Sequence, residues 1–595
     1  MICKKDMLAL LYLLFTLFNS TDLFAASENK TLYAHPQNAT TEDVRNRLSS
    51  PFHEKLLQRT YESIINRAEP DGYFQESLIG TYQGMFCRTS GVLVRLFLKT
   101  GELERAEKTI DYCITAMLDN DMERIPHVIG HREALQTPVP NADTPACMDT
   151  AVRFTRINGG CGAAQTFVAG PKPLHAVEVF GHKWVPDTHL HVEIKKQNGT
   201  PVTTVHLPIT KDIILRWFRI ELPEPIKLKS SQTYRIEFNC PEEKGQPILF
   251  AGHKPPGKTF ITAYQLQSSG QIAHPDKTLS MVLDYGGLAH HEDKEKIILI
   301  CGADQIDGQA HVLMVWAMLA RQRGHTGFED RTYHVIAKLM DRSTTAPYLS
   351  FEPIRAHKGL VCNIHLEHSR DGQMWHAYDF LTQSFVVSAL ENMIPIARRR
   401  GDERHVKLWS DRLAFLNKNI AQNMTRQFQG KPIYYEMLLP TGREPVPFPG
   451  ISWLNLAPIP SGWKSIDNAI FRNTIDTWHR VAQIDWDGPR ITSSDWLPEG
   501  HTDVFGKQQS DQIIGKALGW DMVYCFRTGD YDRLCEMLDF IEQVNSTEIY
   551  AEAFSYKGNN KWVLHNPGNG EQAAWWSWSM AVIRQAVGLP VLPVK

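Results

Sequence analysis

Ala176-Val177-Glu178-Val179-Phe180, His191-Val192-Glu193-Ile194 and Tyr234-Arg235-Ile236-Glu237-Phe238 read with a period of two, set apart by turns of Pro, Gly and Asn. Side chains on an extended strand point alternately to opposite faces, so the pattern predicts strands with one buried face. The stretch from Gln165 to Asp284 continues in this manner and predicts an antiparallel β-sandwich of jelly-roll type. Outward in both directions the period becomes helical. Upstream lie Glu42 to Ala68, Thr89 to Lys99 and Glu102 to Leu118, with Gly101 as a stop between the last two. Downstream lie Gly308 to Arg323, Gly327 to Met340, Gln373 to Arg398, Asp402 to Gln427, Ser465 to Ala482, Gln508 to Arg527, Asp530 to Gln543 and Glu571 to Val587. The β region is therefore an insertion in one helical domain. Eleven helical segments approach the twelve of a ring of six hairpins; an irregular helical bundle is the competing arrangement. The expected boundaries are 1–26 for a leader, 27–141 for the first helical part, 142–290 for the β insertion and 291–595 for the remaining helices.

Lys4 and Lys5 precede an apolar run from Met7 to Phe18, followed by polar residues and Ala25-Ala26. That order predicts a secretory leader, and so export to the periplasm or beyond. About a dozen apolar residues fall short of the roughly twenty that cross a hydrocarbon core, so no membrane span is expected in the mature chain. A net charge of -3 provides no basic footprint for nucleic acid. The ten cysteines match neither a disulfide framework nor a zinc site, which predicts buried thiols with one or two bridges. The 15 Trp and 18 Tyr exceed what a core requires, and flat rings with polar tips suit sugar faces, although helix packing also buries Trp.

Carboxylates and aromatics collect ahead of helices. Asp71-Gly72-Tyr73-Phe74-Gln75-Glu76, followed by Tyr82 and Arg88, precedes the helix near Thr89. Asp304-Gln305-Ile306-Asp307 precedes Gly308, and His365-Leu366-Glu367-His368-Ser369-Arg370-Asp371 precedes Gln373. Asp495-Trp496-Leu497-Pro498-Glu499 stands before Gln508, and Asn566-Pro567-Gly568-Asn569-Gly570-Glu571-Gln572 opens the last helix. An acid in such a place is commonly a helix cap. In a hairpin ring, however, loops entering the inner helices gather at one face, and capping does not account for the Trp, Tyr, His and Arg beside the acids.

Hydrolysis of a glycosidic bond needs one carboxylic acid to protonate the departing oxygen and one carboxylate to activate water or attack the sugar. Glu571 is the expected base, since the first turn of a helix stabilises an anion. Glu367 is the first choice for the acid, with Asp307 and Asp371 behind it. Asp304, Arg88, Tyr73, Arg370, Asp495, Trp496, Glu499 and Trp575 are expected to contact the sugar. His365, Glu367 and His368, or His290 and His291 before Glu292 and Asp293, lack metal-site spacing, and Gly568 and Gly570 lack the Lys-Ser/Thr of a phosphate loop; no metal or cofactor is expected.

Asn569-Gly570-Glu571-Gln572 resembles the place where inverting six-hairpin glycosidases, which have an (α/α)6 toroid, carry their general base. Asp304-Gln305-Ile306-Asp307-Gly308-Gln309 and Leu366-Glu367-His368-Ser369-Arg370-Asp371 look similar to loops of bacterial polysaccharide-utilisation proteins of that class. The likeness covers about 40 to 140 and 285 to 590. A β-sandwich placed after the first hairpins is similar to glycoside hydrolase family 154, which implies an exo-acting β-glucuronidase working on polysaccharide-derived oligosaccharides. A uronate would then meet a cationic fork from Arg88, Arg355 or Arg370, unless these pair with nearby acids. Two other readings stay open. A polysaccharide lyase would use His365, His368 or Tyr73 as base, and a glycan-binding protein would use the aromatics alone, leaving the grouped carboxylates without a task.

Overall fold

The computed structural model describes residues 33–79, 84–150, 152–157, 161–182, 188–209, 216–240, 248–255, 257–301, 306–344, 359–365, 375–439, 446–503 and 506–593. The chain divides into two compact units. One comprises Met1–Gly80, Gly84–Ile129 and Cys301–Lys595, the other Thr81–Gln83 and Gly130–Ile300.

Twelve helices of eight residues or more are described in the first unit: α1 (Thr41–Leu48), α2 (Pro51–Arg67), α3 (Cys87–Thr100), α4 (Leu103–Asp119), α5 (Ile306–Arg323), α6 (Gly327–Ser343), α7 (Phe380–Arg399), α8 (Glu403–Asn423), α9 (Asn468–Val481), α10 (Gly515–Thr528), α11 (Tyr531–Val544) and α12 (Gly570–Ala586). Packing follows a definite order. Helix α3 lies on α5, α5 on α7, and α7 on the short helical turns Trp453–Leu456 and Pro458–Ser461; these lie on α10, α10 on α12, and α12 returns to α3. Each of these helices is backed by a neighbour: α3 by α4, α5 by α6, α7 by α8, α10 by α11 and α12 by α2. Helices α7 and α12 bury nearly their whole circumference. The backing helix α8 buries only the stripe Trp409, Leu416 and Ile420. A helix covered on both sides offers water no polar face, and the polar side chains it does carry, such as Gln383 and Asn392 of α7, are hydrogen-bonded inside the fold. Helix α7 is accordingly long and apolar enough to cross a membrane, although its residues are buried within the fold.

Helix starts differ from the sequence expectations where a cap or a strand intervenes. The segment read as one helix from Glu42 to Ala68 breaks at Ser49, because the Ser50 side chain caps the following helix and Pro51 occupies its first turn. Helix α7 starts at Phe380 rather than Gln373, where Asp379 Oδ1 accepts the Thr382 N–H at 2.6 Å and Trp375–Asp379 forms a strand. Helix α10 starts at Gly515 rather than Gln508 because Gln512–Ile514 pairs with Ala553–Tyr556. No sequence period announced the turns at 453–461, which are too short to show one.

The β unit holds two large antiparallel sheets among its described residues. One has the spatial order Gly270–His274, Phe260–Gln267, Cys161–Val168, Thr233–Asn239, Thr188–Lys196, Pro201–Ile209. The other centres on Leu174–His182, which pairs with Arg216–Ile226, Ile248–His253 and Met281–Asp284. Phe167, Leu190, Ile236 and Phe238 of the first share one core with Val177, Val179, Ile220 and Leu249 of the second. On the opposite face of the second sheet Phe180 packs against Trp217 and Phe250, and Arg219 bonds both Glu178 at 2.8 Å and Asp284 at 2.6 Å. The unit is wider than the 142–290 read from alternation, because Gln136–Val139 pairs with Ala289–Glu292 ahead of the first clearly alternating run. The bridges expected among the cysteines are not formed at Cys87, Cys113, Cys147, Cys161, Cys525 and Cys535, all but Cys161 buried as small hydrophobes; Cys240 and Cys362 are buried as well.

Helices α3 and α5 cross at Gly91, where an added Cβ would lie 2.5 Å from the Cβ of His311. Gly91→Ala is expected to lower stability by about 1–3 kcal/mol through overpacking, read as a lower denaturation midpoint. An unchanged midpoint would show that the crossing can relax.

Candidate active site

Four of the inner helices carry a charged side chain at their second residue: Arg88 on α3, Asp307 on α5, Lys516 on α10 and Glu571 on α12. Three of these side chains meet. Arg88 donates from a terminal guanidinium nitrogen to Glu571 Oε2 at 3.0 Å, and Lys516 Nζ donates to Glu571 Oε1 at 2.9 Å. The Lys516 ammonium also sits 4.6 Å from the centre of the Trp453 ring. Its backbone N–H donates to Gln572 Oε1 at 2.7 Å, which ties the start of α10 to that of α12.

The approach to α12 is anchored from the other end of the chain. Asn569 caps the helix, its side chain accepting the Gln572 N–H at 3.0 Å. Gly568 takes φ +78°, a left-handed value that favours glycine. The carbonyl of Glu76 accepts the Gly570 N–H at 2.7 Å, and Leu78 donates to the Gly568 carbonyl at 2.8 Å. Glu76 Oε1 lies 3.3 Å from the Glu571 N–H that donates to it.

Asp307 belongs to an adjoining network. Asn363 Nδ2 donates to Asp307 Oδ1 at 3.0 Å and to Thr382 Oγ1 at 3.2 Å, and Thr382 Oγ1 donates to Asp379 Oδ2 at 2.8 Å. The first turn of α5 abuts Arg88, since an added Cβ on Gly308 would lie 3.6 Å from the Arg88 nitrogen. One turn further along α5, His311 Nδ1 bonds the Asp307 carbonyl at 2.7 Å and its ring stacks on Phe385 at 3.7 Å. Trp575 packs edge-on against Trp520 at 5.2 Å, and Trp520 lies 5.8 Å from Trp453. Aromatic packing thus occupies the inner helices one turn beyond the charged groups.

These surroundings drive the titrating groups apart. Burial by itself would raise the Glu571 carboxyl, but Arg88 and Lys516 outweigh it and hold it down at about 2. Burial, followed by the Glu571 charge, pushes Glu76 up to about 8. Burial lowers His311 to about 3, so its imidazole is neutral. Asp379 rises to about 6, again through burial. Near neutral pH Glu571 is therefore ionised, while Glu76 beside the first turn of α12 keeps its proton.

Among the residues expected from sequence, Glu571 and Arg88 are in direct contact, and Asp307 stands on the neighbouring helix start. Of the two roles weighed for Arg88, pairing with an acid is the one seen. Trp575 is core rather than wall, because the fourth residue beyond Glu571 lies one turn down the same helix. Tyr73 is buried against Tyr112 of α4, at 5.8 Å between ring centres. Asp495 is buried in the strand that pairs with Ile451–Ser452, Trp496 stands edge-on to Phe428, and Glu499 faces solvent. Glu367, Asp371, Asp304, Arg370, Arg355, His368 and Tyr82 lie outside the described residues, as does the side chain of His365. His290 bonds Glu178 at 2.7 Å within the β unit.

Two groups of the site were missed. Lys516 was hidden because α10 was read as starting seven residues early, which placed it in mid-helix. Glu76 stood in a quoted cluster, but nothing local connects it to position 571. One described group has metal-ligand chemistry, His479, Asp521 and Cys525. His479 Nε2 hydrogen-bonds Asp521 at 2.7 Å, and Arg533 Nε lies 4.0 Å from the same carboxylate. Burial keeps the imidazole and the thiol neutral, so Arg533 balances Asp521 as the group stands.

No family model matches the chain, and no curated protein does. Among solved structures, a glycosidase variant aligns over 92% of this chain and 99% of its own, at 11% identity and a TM-score of 0.43. A rhamnosidase from Klebsiella oxytoca with rhamnose bound aligns over 80% and 98%, at 10% identity and a TM-score of 0.31. A D-mannose isomerase aligns over 48% and 74%, at 13% identity and a TM-score of 0.32.

Removing one partner of a buried pair leaves the other charge uncompensated, which typically costs about 3–5 kcal/mol. Lys516→Met is expected to lose stability on that scale at neutral pH, measured by denaturant titration. A carboxyl with a depressed pKa contributes stability above its ordinary value of 4.5 that is lost as pH falls toward about 2. The stability gap between wild type and Glu571→Gln should therefore narrow over that window. A gap independent of pH would contradict the clamped carboxylate.

Proposed function

We propose that the chain is an exported, exo-acting glycoside hydrolase that releases a terminal sugar, β-linked glucuronic acid, from polysaccharide-derived oligosaccharides. The helical unit is read as a six-hairpin (α/α)6 toroid, which accords with α12 returning to α3, and the β unit as a jelly-roll-like sandwich. The observation that carries the functional reading is Glu571, a carboxylate kept ionised between Arg88 and Lys516 where the starts of three inner helices converge.

In this reading Glu571 takes the proton of a water whose oxygen adds to the anomeric carbon. Glu367, in the segment ahead of α7, gives its proton to the departing glycosidic oxygen as the bond to the sugar breaks. Asp307 and Asp371 are the alternatives to Glu367 for that proton donor. The low pKa of Glu571 makes it a weak base in the abstract, but it guarantees the anionic form throughout the physiological range. Arg370 serves a uronate carboxylate by paired hydrogen bonds, the recognition for which a planar guanidinium is suited.

Purified protein should cleave a para-nitrophenyl glucuronide or a uronic-acid oligosaccharide, with the released anomer read by NMR. Glu571→Gln should lower turnover by roughly 10²–10⁴-fold, the usual contribution of a positioned acid or base, and leave oligosaccharide binding in place. Turnover retained in that variant would remove the base assignment. A product absorbing in the near ultraviolet would identify β-elimination and replace hydrolysis with a lyase reaction.

A further inference from the structure

We propose that Glu76 is a positioning residue for Glu571, acting as a neutral hydrogen-bond partner that fixes the first turn of α12 without adding a second negative charge beside the carboxylate. The inference rests on the hydrolase reading for its catalytic consequence, and on geometry alone for the structural one.

Glu76 and the start of α12 are locked together along the backbone. The Glu76 carbonyl accepts the Gly570 N–H at 2.7 Å, and its own N–H donates to the Gly84 carbonyl at 2.9 Å. The approach is so close that an added Cβ on Gly570 would lie 2.5 Å from the Glu76 carbonyl oxygen. The side chain then turns back on the same helix, where Oε1 accepts the Glu571 N–H at 3.3 Å. That N–H is one of the donors a helix leaves unsatisfied at its first turn. The second carboxyl oxygen, Oε2, has no hydrogen-bond partner among the described residues, and the residue is only 3% exposed. An ionised carboxylate with a bare, buried oxygen would carry a large desolvation cost; a carboxylic acid carries much less.

The charged neighbours decide between the two forms. Glu571 on α12 repels a second anion, whereas the Thr89 hydroxyl beside the carboxyl and then Arg88 on α3 favour one. Lys516 on α10 and Arg88 are both bonded to Glu571. Arg67 on α2 is turned to the Leu78 carbonyl at 2.9 Å and to Gln75 at 3.5 Å. His311 on α5 is neutral. Burial and Glu571 prevail, and the Glu76 carboxyl keeps its proton up to about pH 8. Above that pH a second anion joins the turn and draws Arg88 away from Glu571.

The experiment compares wild type with Glu76→Gln, which preserves shape and hydrogen bonding but cannot ionise. An acid with a raised pKa contributes stability that is present below its ordinary value of 4.5 and is lost as pH rises toward about 8. The melting temperature of wild type relative to Glu76→Gln should therefore fall between these values and level off above. A difference that stays flat would overturn the proposal. On a cleaved glycoside, kcat of wild type should fall about tenfold per pH unit above the Glu76 ionisation, while Glu76→Gln keeps neutral-pH kcat within about threefold and loses that alkaline limb. An unmoved limb would also overturn it, since a merely structural Glu76 could not set it. Should the variant not fold, carboxyl-labelled wild type must show a glutamate resonance titrating near pH 8; its absence counts against the proposal. Failure to cleave any glycoside would refute the hydrolase reading alone, because the melting and resonance measurements need no substrate.

Discussion

Glu571, clamped between Arg88 and Lys516, is the interaction on which the arrangement of the helical unit turns. Burying a carboxylate in protein is costly unless it is paired and hydrogen-bonded. Here the pairing demands cations from helices that are remote in sequence, since Arg88 lies 483 residues from Glu571. The ends of α3, α10 and α12 can satisfy that demand only if they arrive together with the right rotation. Such an ion triad is a poor source of net stability, because replacing buried charges by packed apolar groups is often neutral or favourable. What it does fix is which helix ends meet, since only Arg88 and Lys516 together satisfy both oxygens of Glu571.

The packing below serves the same end. Helices α7 and α12 are buried around nearly their whole circumference because outer helices cover one side and inner neighbours the other. His311 stacked on Phe385, and Trp575 against Trp520, fill the level one turn beyond the charged groups. That filling leaves the charged first turns no room to relax inward. Close crossings at Gly91 and at Gly519, where an added Cβ would lie 2.9 Å from Ser579 Oγ, set the spacing of the helices. Arg88, Lys516 and Glu571 stand on helices rather than on loops, which keeps their geometry tight.

Local patterns made much of the architecture legible. Period-two runs such as 234–238 put Tyr234, Ile236 and Phe238 inside, as the alternation requires. Helical periodicity located every long helix described, although caps moved several starts. Glu571 was legible because its place after Asn569 and Gly570 marks a helix start that favours an anion. Lys516 was not, because the short strand ahead of α10 carries no period of its own and blends into the helix. Glu76 stood in one of several acidic clusters with no role of its own, and its relation to Glu571 exists only across 495 residues of chain.

The division follows from the range of the forces. Periodicity, caps, turns and a leader-like apolar run are properties of a few consecutive residues, so the sequence alone determined a helical chain interrupted by a β insertion and marked Glu571 as an acid at a helix start. Which carboxyl is charged is a property of its surroundings. Desolvation, the partners Arg88 and Lys516, and the repulsion between Glu76 and Glu571 arise only when distant segments meet. The tertiary structure therefore decided that one acid of the pair is ionised and the other keeps its proton.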